Sequence, residues 1–178
     1  MSNVYLNSDD ENINEEIQLP YRILSVLVED KPGVLFRITN LFRARNFNIA
    51  SITVGSTEQK DLSRMTIATQ SDSRTLDQLV KQLKKLIDVI DIRILDTGNT
   101  VFRELALIKM KAPDPTTRME ISHFAGIFRA KILDIGKESV IVELTGTPDK
   151  IDAFINLVAH YGIIQIARTG ISALRRGG

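Results

Sequence analysis

From residue 21 onward the chain sets short apolar runs against amphipathic stretches, and it does so twice. Arg22–Val28 (RILSVLV) is almost continuously apolar, the pattern of an interior strand. Glu29-Asp30-Lys31-Pro32-Gly33 interrupts it. A helix is expected from about Pro32 to Arg45, with Leu35, Ile38, Leu41 and Phe42 on one face. Asp30 is the expected cap donor, and a proline is tolerated in a first turn whose N–H has no helical partner. Phe47–Gly55 reads as a second strand, Ser56–Asp61 as a polar loop, and Leu62–Thr69 as a third strand with Met65 and Ile67 inward. Ser71-Asp72-Ser73 opens a second helix whose apolar stripe is Leu76, Leu79, Val80, Leu83 and Ile87. Val89–Leu95 supplies a fourth strand. The order β-α-β-β-α-β is the split βαβ, or ferredoxin-like, unit.

After the polar linker Asp96–Thr100 the pattern begins again. Phe102–Lys111 alternates as a strand, with Leu105, Leu107 and Lys109 opposite Ala106, Ile108 and Met110. A helix carrying Ile121, Phe124, Ala125 and Phe128 follows. Lys131–Ile135 and Ser139–Thr145 form a hairpin around Gly136-Lys137. Thr147-Pro148-Asp149 is a helix start, followed by Ile151, Phe154, Ile155 and Val158, and Gly162–Ala167 is the last strand. Thr169–Gly178 reads as a basic, glycine-ended stretch. The expected class is α+β, two ferredoxin-like units in tandem: a tail over 1–20, one domain over 21–96, a second over 101–172, and a basic tail over 173–178. Each unit alone buries only ~60–65% of its chain surface. A sheet with both helices on one side leaves its other face and an edge uncovered, so a homodimer, or pairing with another protein, is expected.

Composition narrows the chemistry. Among 178 residues there is no Cys, and His123 and His160 are the two histidines. This excludes disulfides, thiol nucleophiles, thiolate zinc sites and metal-binding His pairs at helical spacing. No uncharged run approaches the ~18 residues of a membrane span. The net charge of +1 conceals an asymmetry. Residues 1–20 hold Asp9, Asp10, Glu11, Glu15 and Glu16 and no Lys or Arg, so a −5 segment precedes a +6 body. That segment lacks the cationic start and apolar stretch of a secretory signal. A poorly ordered tail and cytoplasmic residence are expected.

Two places carry candidate chemistry. The turn Asp30-Lys31-Pro32-Gly33-Val34-Leu35 leads into a helix start, whose free N–H groups attract a carboxylate or phosphate, and Gly33 allows close approach to the backbone. A plain capped turn fits the same residues. Asn48 sits at a strand entry, where Asn is disfavoured, and could equally hydrogen-bond its own backbone. The turn lacks the length and the Lys-Ser/Thr of a P-loop. The strands RILSVLV and LSRMTIAT lack the aromatic residues on which RNA-recognition modules stack bases, so no nucleic-acid role is expected. His123 falls off its apolar stripe, His160 lies near a helix C-terminus, and no nucleophile elbow is present.

The strings RILSVLVEDKPGVLFRITNLFRARNFNIASITVG, LSRMTIAT and LDQLVKQLKKLIDVIDIRIL resemble the ACT domain of the acetolactate synthase small (regulatory) subunit. FRELALIKMKA, IFRAKILDI, VELTGTPDKIDAFINL and ARTGISALRRG resemble the C-terminal domain of that family. The resemblance implies a subunit with no active site and no cofactor of its own. Its partner would be the large catalytic subunit, carrying thiamine diphosphate, magnesium and FAD, which it activates through its second domain. It also implies feedback by valine or another branched-chain amino acid, bound between the ACT domains of a homodimer. On the matching positions Asp30, Lys31, Pro32, Gly33, Val34 and Leu35 of one subunit would hold the effector, with Asn48 and Ile49 from the facing one. Many family members have Asn at the position of Asp30 and a small residue at that of Phe36. A stand-alone amino-acid sensor or transcriptional regulator is the competing reading, separable by whether a thiamine-diphosphate enzyme co-purifies. A metal-responsive regulator would need a His/Cys cluster that the sequence lacks.

Overall fold

The computed structural model describes residues 22–177; the acidic segment 1–20 lies outside them. Two sheets, each with two helices, follow one another along the chain. The first contains β1 (Arg22–Glu29), β2 (Ile49–Ser56), β3 (Leu62–Thr69) and β4 (Val89–Leu95), ordered β2-β3-β1-β4, with α1 (Val34–Ala44) and α2 (Ser73–Leu83). The second contains β5 (Thr100–Lys111), β6 (Lys131–Ile135), β7 (Ser139–Gly146) and β8 (Ile163–Arg168), ordered β6-β7-β5-β8, with α3 (Pro115–Phe128) and α4 (Pro148–Val158). Corresponding strands occupy corresponding places, so the repeated pattern of the sequence is a repeated fold.

Each unit has its own core. Leu24, Val26 and Val28 of β1 meet Ile38 and Phe42 of α1 and Leu79 and Leu83 of α2 in the first. Ala106, Ile108 and Met110 of β5 meet Ile121 of α3 and Phe154 of α4 in the second. Asp72 and Asp114 cap α2 and α3: each carboxylate accepts from the backbone N–H and the hydroxyl of the threonine three residues on, at 2.7–2.9 Å.

Several expectations need correction. Asp30 does not cap α1. A tight turn, in which the Lys31 N–H donates to the Glu29 carbonyl at 3.0 Å, delays the helix until Val34. Gly33 is therefore the cap, in the left-handed region (φ 86°, ψ −9°), and Asp30 lies too far back to reach the first turn. The delay also rotates the helix: Val34, Ile38 and Phe42 face the core, while Leu35 is 44% exposed. Ile87 is exposed, because α2 ends at Leu83, and Leu86 packs on the core in its place. Phe47 belongs to the helix exit rather than to a strand; its N–H donates to the Phe42 carbonyl at 2.9 Å. Part of the C-terminal stretch read as a tail is a ninth strand, β9 (Ser172–Arg175), which pairs with Thr100–Arg103 and extends β5 two residues towards its N-terminus.

The β5–β9 ribbon covers part of the helix-free face of the first sheet. Phe102, Ile171 and Ala173 pack there on Ile23, Ala68 and Leu95, forming a third apolar cluster between the units. Gly170, at φ 79°, lies so close to β2 that a Cβ would stand 3.0 Å from both Ser51 Cβ and Thr53 Oγ1. Thr53 Oγ1 donates to the Thr169 carbonyl at 3.1 Å.

Candidate functional site

The turn from β1 into α1 is exposed and ordered. The Asp30 N–H donates to the Asp61 carbonyl at 2.8 Å, tying the end of β1 to the loop before β3. Asp30, Lys31, Pro32, Gly33 and Leu35 are exposed, and Val34 is buried beneath them. Gly33 O accepts the first full helical bond, from Arg37 N at 3.0 Å. The Val34 N–H donates to the Lys31 carbonyl at 3.4 Å, and the N–H groups of Leu35 and Phe36 have no intrahelical carbonyl to bond. With no Cβ on Gly33, the nearest atom to that empty position is Arg37 Nη1, at 3.8 Å. The site therefore offers backbone donors and a cation beside an open surface, which suits a carboxylate.

Charged side chains brace this turn. Lys31 Nζ donates to Glu29 Oε2 at 2.8 Å, and that hydrogen bond raises the lysine pKa. Arg37 grips Asp88 through two contacts, Nη2 to Oδ1 at 2.9 Å and Nε to Oδ2 at 2.7 Å. The Asp88 side chain is 8% exposed, and its carbonyl accepts from Glu29 N at 2.9 Å. The chain after α2 is thus locked to the end of β1 and the start of α1. Sequence reasoning missed this pair, since Arg37 and Asp88 each look like ordinary surface charges.

Asn48 and Ile49 lie elsewhere. In the register, Ile49 and Arg22 both align with Thr69, whereas Glu29, just before the Gly33 turn, aligns with Leu62 at the other end of the sheet. Strands of eight residues separate the two places by ~20 Å. One chain does not bring them together. Asn48 is exposed, its carbonyl accepts from Thr69 Oγ1 at 2.7 Å, and its side chain bonds nothing among the described residues. A bulge between Ile49 and Ser51 marks this strand entry.

In the second unit, Arg168 of β8 bonds Glu104 of β5 through Nε at 2.8 Å and Nη2 at 2.6 Å, and Asp152 of α4 through Nη1 at 2.6 Å. The Glu104 hydrogen bond raises the arginine pKa further. These side chains and Ala50–Ile52 of β2 line a cavity of about 480 Å³. Glu104 was legible in principle, because a charged residue occupies a buried position in the alternation of β5. His123 and His160 are both exposed, and His160 Nδ1 lies 2.9 Å from the Leu157 carbonyl. Among the described residues no group of three His, Cys, Asp or Glu side chains could hold a metal, and no helix is long and apolar enough to cross a membrane.

A ferredoxin-like sheet with an exposed, glycine-capped helix start after its first strand is the arrangement of an ACT-type domain, here followed by a second unit of the same topology. Comparison with known families gives the same class. Residues 24–91 match the AHAS small subunit-like ACT domain, and residues 103–177 match the small subunit of acetolactate synthase. The acetolactate synthase small subunit of Mycolicibacterium smegmatis is 51% identical over 158 residues, covering 89% of this chain and 92% of that protein. A probable acetolactate synthase small subunit of Methanothermobacter thermautotrophicus is 48% identical over 162 residues, covering 91% and 96%. The crystal structure of the acetolactate synthase small subunit from Thermotoga maritima superposes with a TM-score of 0.82 at 42% identity, covering 90% of this chain and 99% of that one. The chain belongs to the acetolactate synthase small-subunit family.

Proposed function

We propose that this chain is the regulatory subunit of a cytoplasmic acetolactate synthase. It binds valine, or another branched-chain amino acid, between the N-terminal domains (21–96) of a homodimer, and activates the large catalytic subunit while conferring feedback inhibition on it. Asp30, Lys31, Pro32, Gly33, Val34 and Leu35 hold the effector from one subunit, and Asn48 and Ile49 reach it from the other. The second domain (101–172) grips the large subunit, where thiamine diphosphate, magnesium and FAD belong; this chain holds no cofactor.

The observation that carries the reading is the separation of the two candidate segments. The Gly33 turn and Asn48 stand at opposite ends of one sheet, and a two-fold axis beside the sheet places each against the other's counterpart. A carboxylate then meets the α1 N–H groups, an ammonium meets the Asn48 side-chain oxygen or Asp30, and burying the isopropyl group contributes ~1.5–3 kcal/mol. Coupling of ~1–3 kcal/mol between occupancy and the catalytic state suffices for feedback.

Calorimetric titration of the purified chain with valine, leucine and isoleucine tests the binding step. One effector should saturate at one or two per dimer, and titration without heat for all three refutes the reading. Affinity capture on a tag on this chain should retain a thiamine-diphosphate enzyme; its absence favours a stand-alone sensor.

A further inference from the structure

Between the end of β4 and the β5–β9 ribbon lies a cavity of about 400 Å³ that the proposed function does not use. Arg93, Leu95, Asp96, Asn99, Thr100 and Arg175 form its walls. Thr100 and Arg175 are direct partners across β5 and β9, so their side chains leave the ribbon on the same face. Phe102 and Ala173, two pairs further along and so on the same face, pack against the first sheet, which fixes the direction of that face. On β4, Leu95 packs in the same seam, and Arg93, two residues back, shares its side of the sheet. The two arginines therefore enter the crevice from opposite walls.

Folding leaves these groups underused. Thr100 is 4% exposed, and its Oγ1 is buried with no hydrogen-bond partner. A buried hydroxyl in that state is costly unless something in the cavity bonds it. Arg175 has no ion pair among the described residues. Arg93 spends only Nε, on Asp91 Oδ2 at 2.8 Å, and both of its Nη groups are uncommitted. The Asn99 backbone carbonyl accepts from Arg176 N at 2.8 Å, and its side-chain amide has no partner among the described residues. Asp96 turns its Oδ1 back to Gly98 N at 3.3 Å.

We propose that this crevice is a binding site for a phosphoryl group. Two guanidinium forks on opposed walls suit a tetrahedral oxyanion, whose oxygens point in several directions, better than a planar carboxylate. The Thr100 hydroxyl and the Asn99 amide add neutral donors. The volume lies in the range of small-molecule sites and admits an organic carrier behind the phosphate. Leu95 aligns with Ile23, at the end of the sheet opposite the Gly33 turn, and β4 is the edge strand across the sheet from β2, where Asn48 and Ile49 lie, so the site is separate from both parts of the proposed amino-acid effector site.

Titration of the full-length chain with sodium phosphate and with adenosine monophosphate, against sodium chloride of equal ionic strength and adenosine, tests this by calorimetry and thermal melting. One phosphate-bearing ligand should bind saturably at one per chain. Arg175→Gln should weaken binding at least tenfold. Thr100→Val should weaken it about fivefold without lowering the melting temperature of the ligand-free chain, because it removes an unpartnered hydroxyl while keeping shape. Tighter binding of the nucleotide identifies an organic phosphate as the ligand, and tighter binding of inorganic phosphate identifies the free anion. The proposal is overturned if neither exceeds the chloride control, or if both variants bind as the parent does.

Discussion

Replacing Gly33 by Asp is the most direct test of the turn, because the structure separates its effects. A Cβ there would meet nothing nearer than Arg37 Nη1 at 3.8 Å, so the substitution is not a steric block on the folded chain. The left-handed conformation at φ 86° costs a non-glycine residue about 1–2 kcal/mol, and Asn and Asp tolerate it best. The added carboxylate faces Arg37 and the α1 N–H groups, which are the groups assigned to the ligand carboxylate. Two like charges about 4 Å apart repel by about 1 kcal/mol in water-like surroundings and about 4 kcal/mol at an effective dielectric of 20. Because Gly33 is exposed, the lower part of that range applies. Competition for the helix start adds about 0.3–1 kcal/mol. A total of about 2 kcal/mol corresponds to roughly thirtyfold weaker valine binding. The control is Gly33→Asn, which carries the same backbone strain without the charge. Calorimetry should place the Asp variant at least tenfold above the Asn variant in Kd. Activation of the large subunit should survive in both, while valine inhibition is lost in the Asp variant. Equal affinities, or full valine inhibition in Gly33→Asp, would refute the assignment of the carboxylate to this turn.

Four further outcomes follow from the packing and charges. Phe154→Ala removes a fully buried ring that meets Phe128 edge-on at 5.2 Å, and should lower unfolding free energy by about 3–5 kcal/mol in urea titration. Glu104→Gln removes one of the two carboxylates that Arg168 bonds, puts an amide NH2 against one of its N–H groups, and should cost about 2–3 kcal/mol by the same assay. Asp72 and Asp114 have pKa values held below 3.8 by the backbone N–H of Thr75 and Thr117. Their stabilisation is complete above that value and is lost as pH falls through the lower folded values, so an Asp72→Ala, Asp114→Ala double variant should lose less stability on acidification than the parent. Tyr161 is pushed up to about 12 by desolvation and by its hydrogen bond to Glu120. Its stabilisation should be present below pH 10 and lost towards pH 12, and Glu120→Gln should lower the pH at which it ionises in an ultraviolet titration.

Periodicity made the elements legible wherever one face of a strand or helix met a core. Leu62–Thr69, Val89–Leu95 and Lys131–Ile135 fall where alternation and turn residues put them. It failed where a bond between distant parts decided the outcome. Asp30 has the chemistry of a cap, but the Lys31-to-Glu29 turn moves the helix start beyond its reach. Ser172–Arg175 is short, basic and glycine-flanked, and becomes a strand because Thr100–Arg103 offers it an edge. Arg37–Asp88 and Arg168–Glu104 join residues 51 and 64 positions apart, and no local pattern announces such pairs. The Asp30–Leu35 turn and Asn48 stood out by residue chemistry, family likeness gave them an effector role and added Ile49, and the register adds that a single chain holds the two segments apart.

The covering of the first sheet changes what a second copy has to do. An isolated ferredoxin-like unit leaves a whole sheet face open, and pairing of faces would be one way to hide it. Here the chain hides part of that face itself, with Phe102, Ile171 and Ala173 on Ile23, Ala68 and Leu95. Apolar surface remains at both edges of the first unit: Ile87, Ile90 and Ile94 at the edge strand β4, and, in the helix that leads into the other edge strand β2, Leu35 and Phe36 of α1, 44% and 71% exposed. Burial of those two side chains, with backbone bonds along the β2 edge, favours side-by-side association over face-to-face stacking. That geometry is also the one in which the Gly33 turn of one copy can meet Asn48 of another. Phe36→Asp should therefore weaken self-association and effector binding together, whereas a stacked dimer would lose neither.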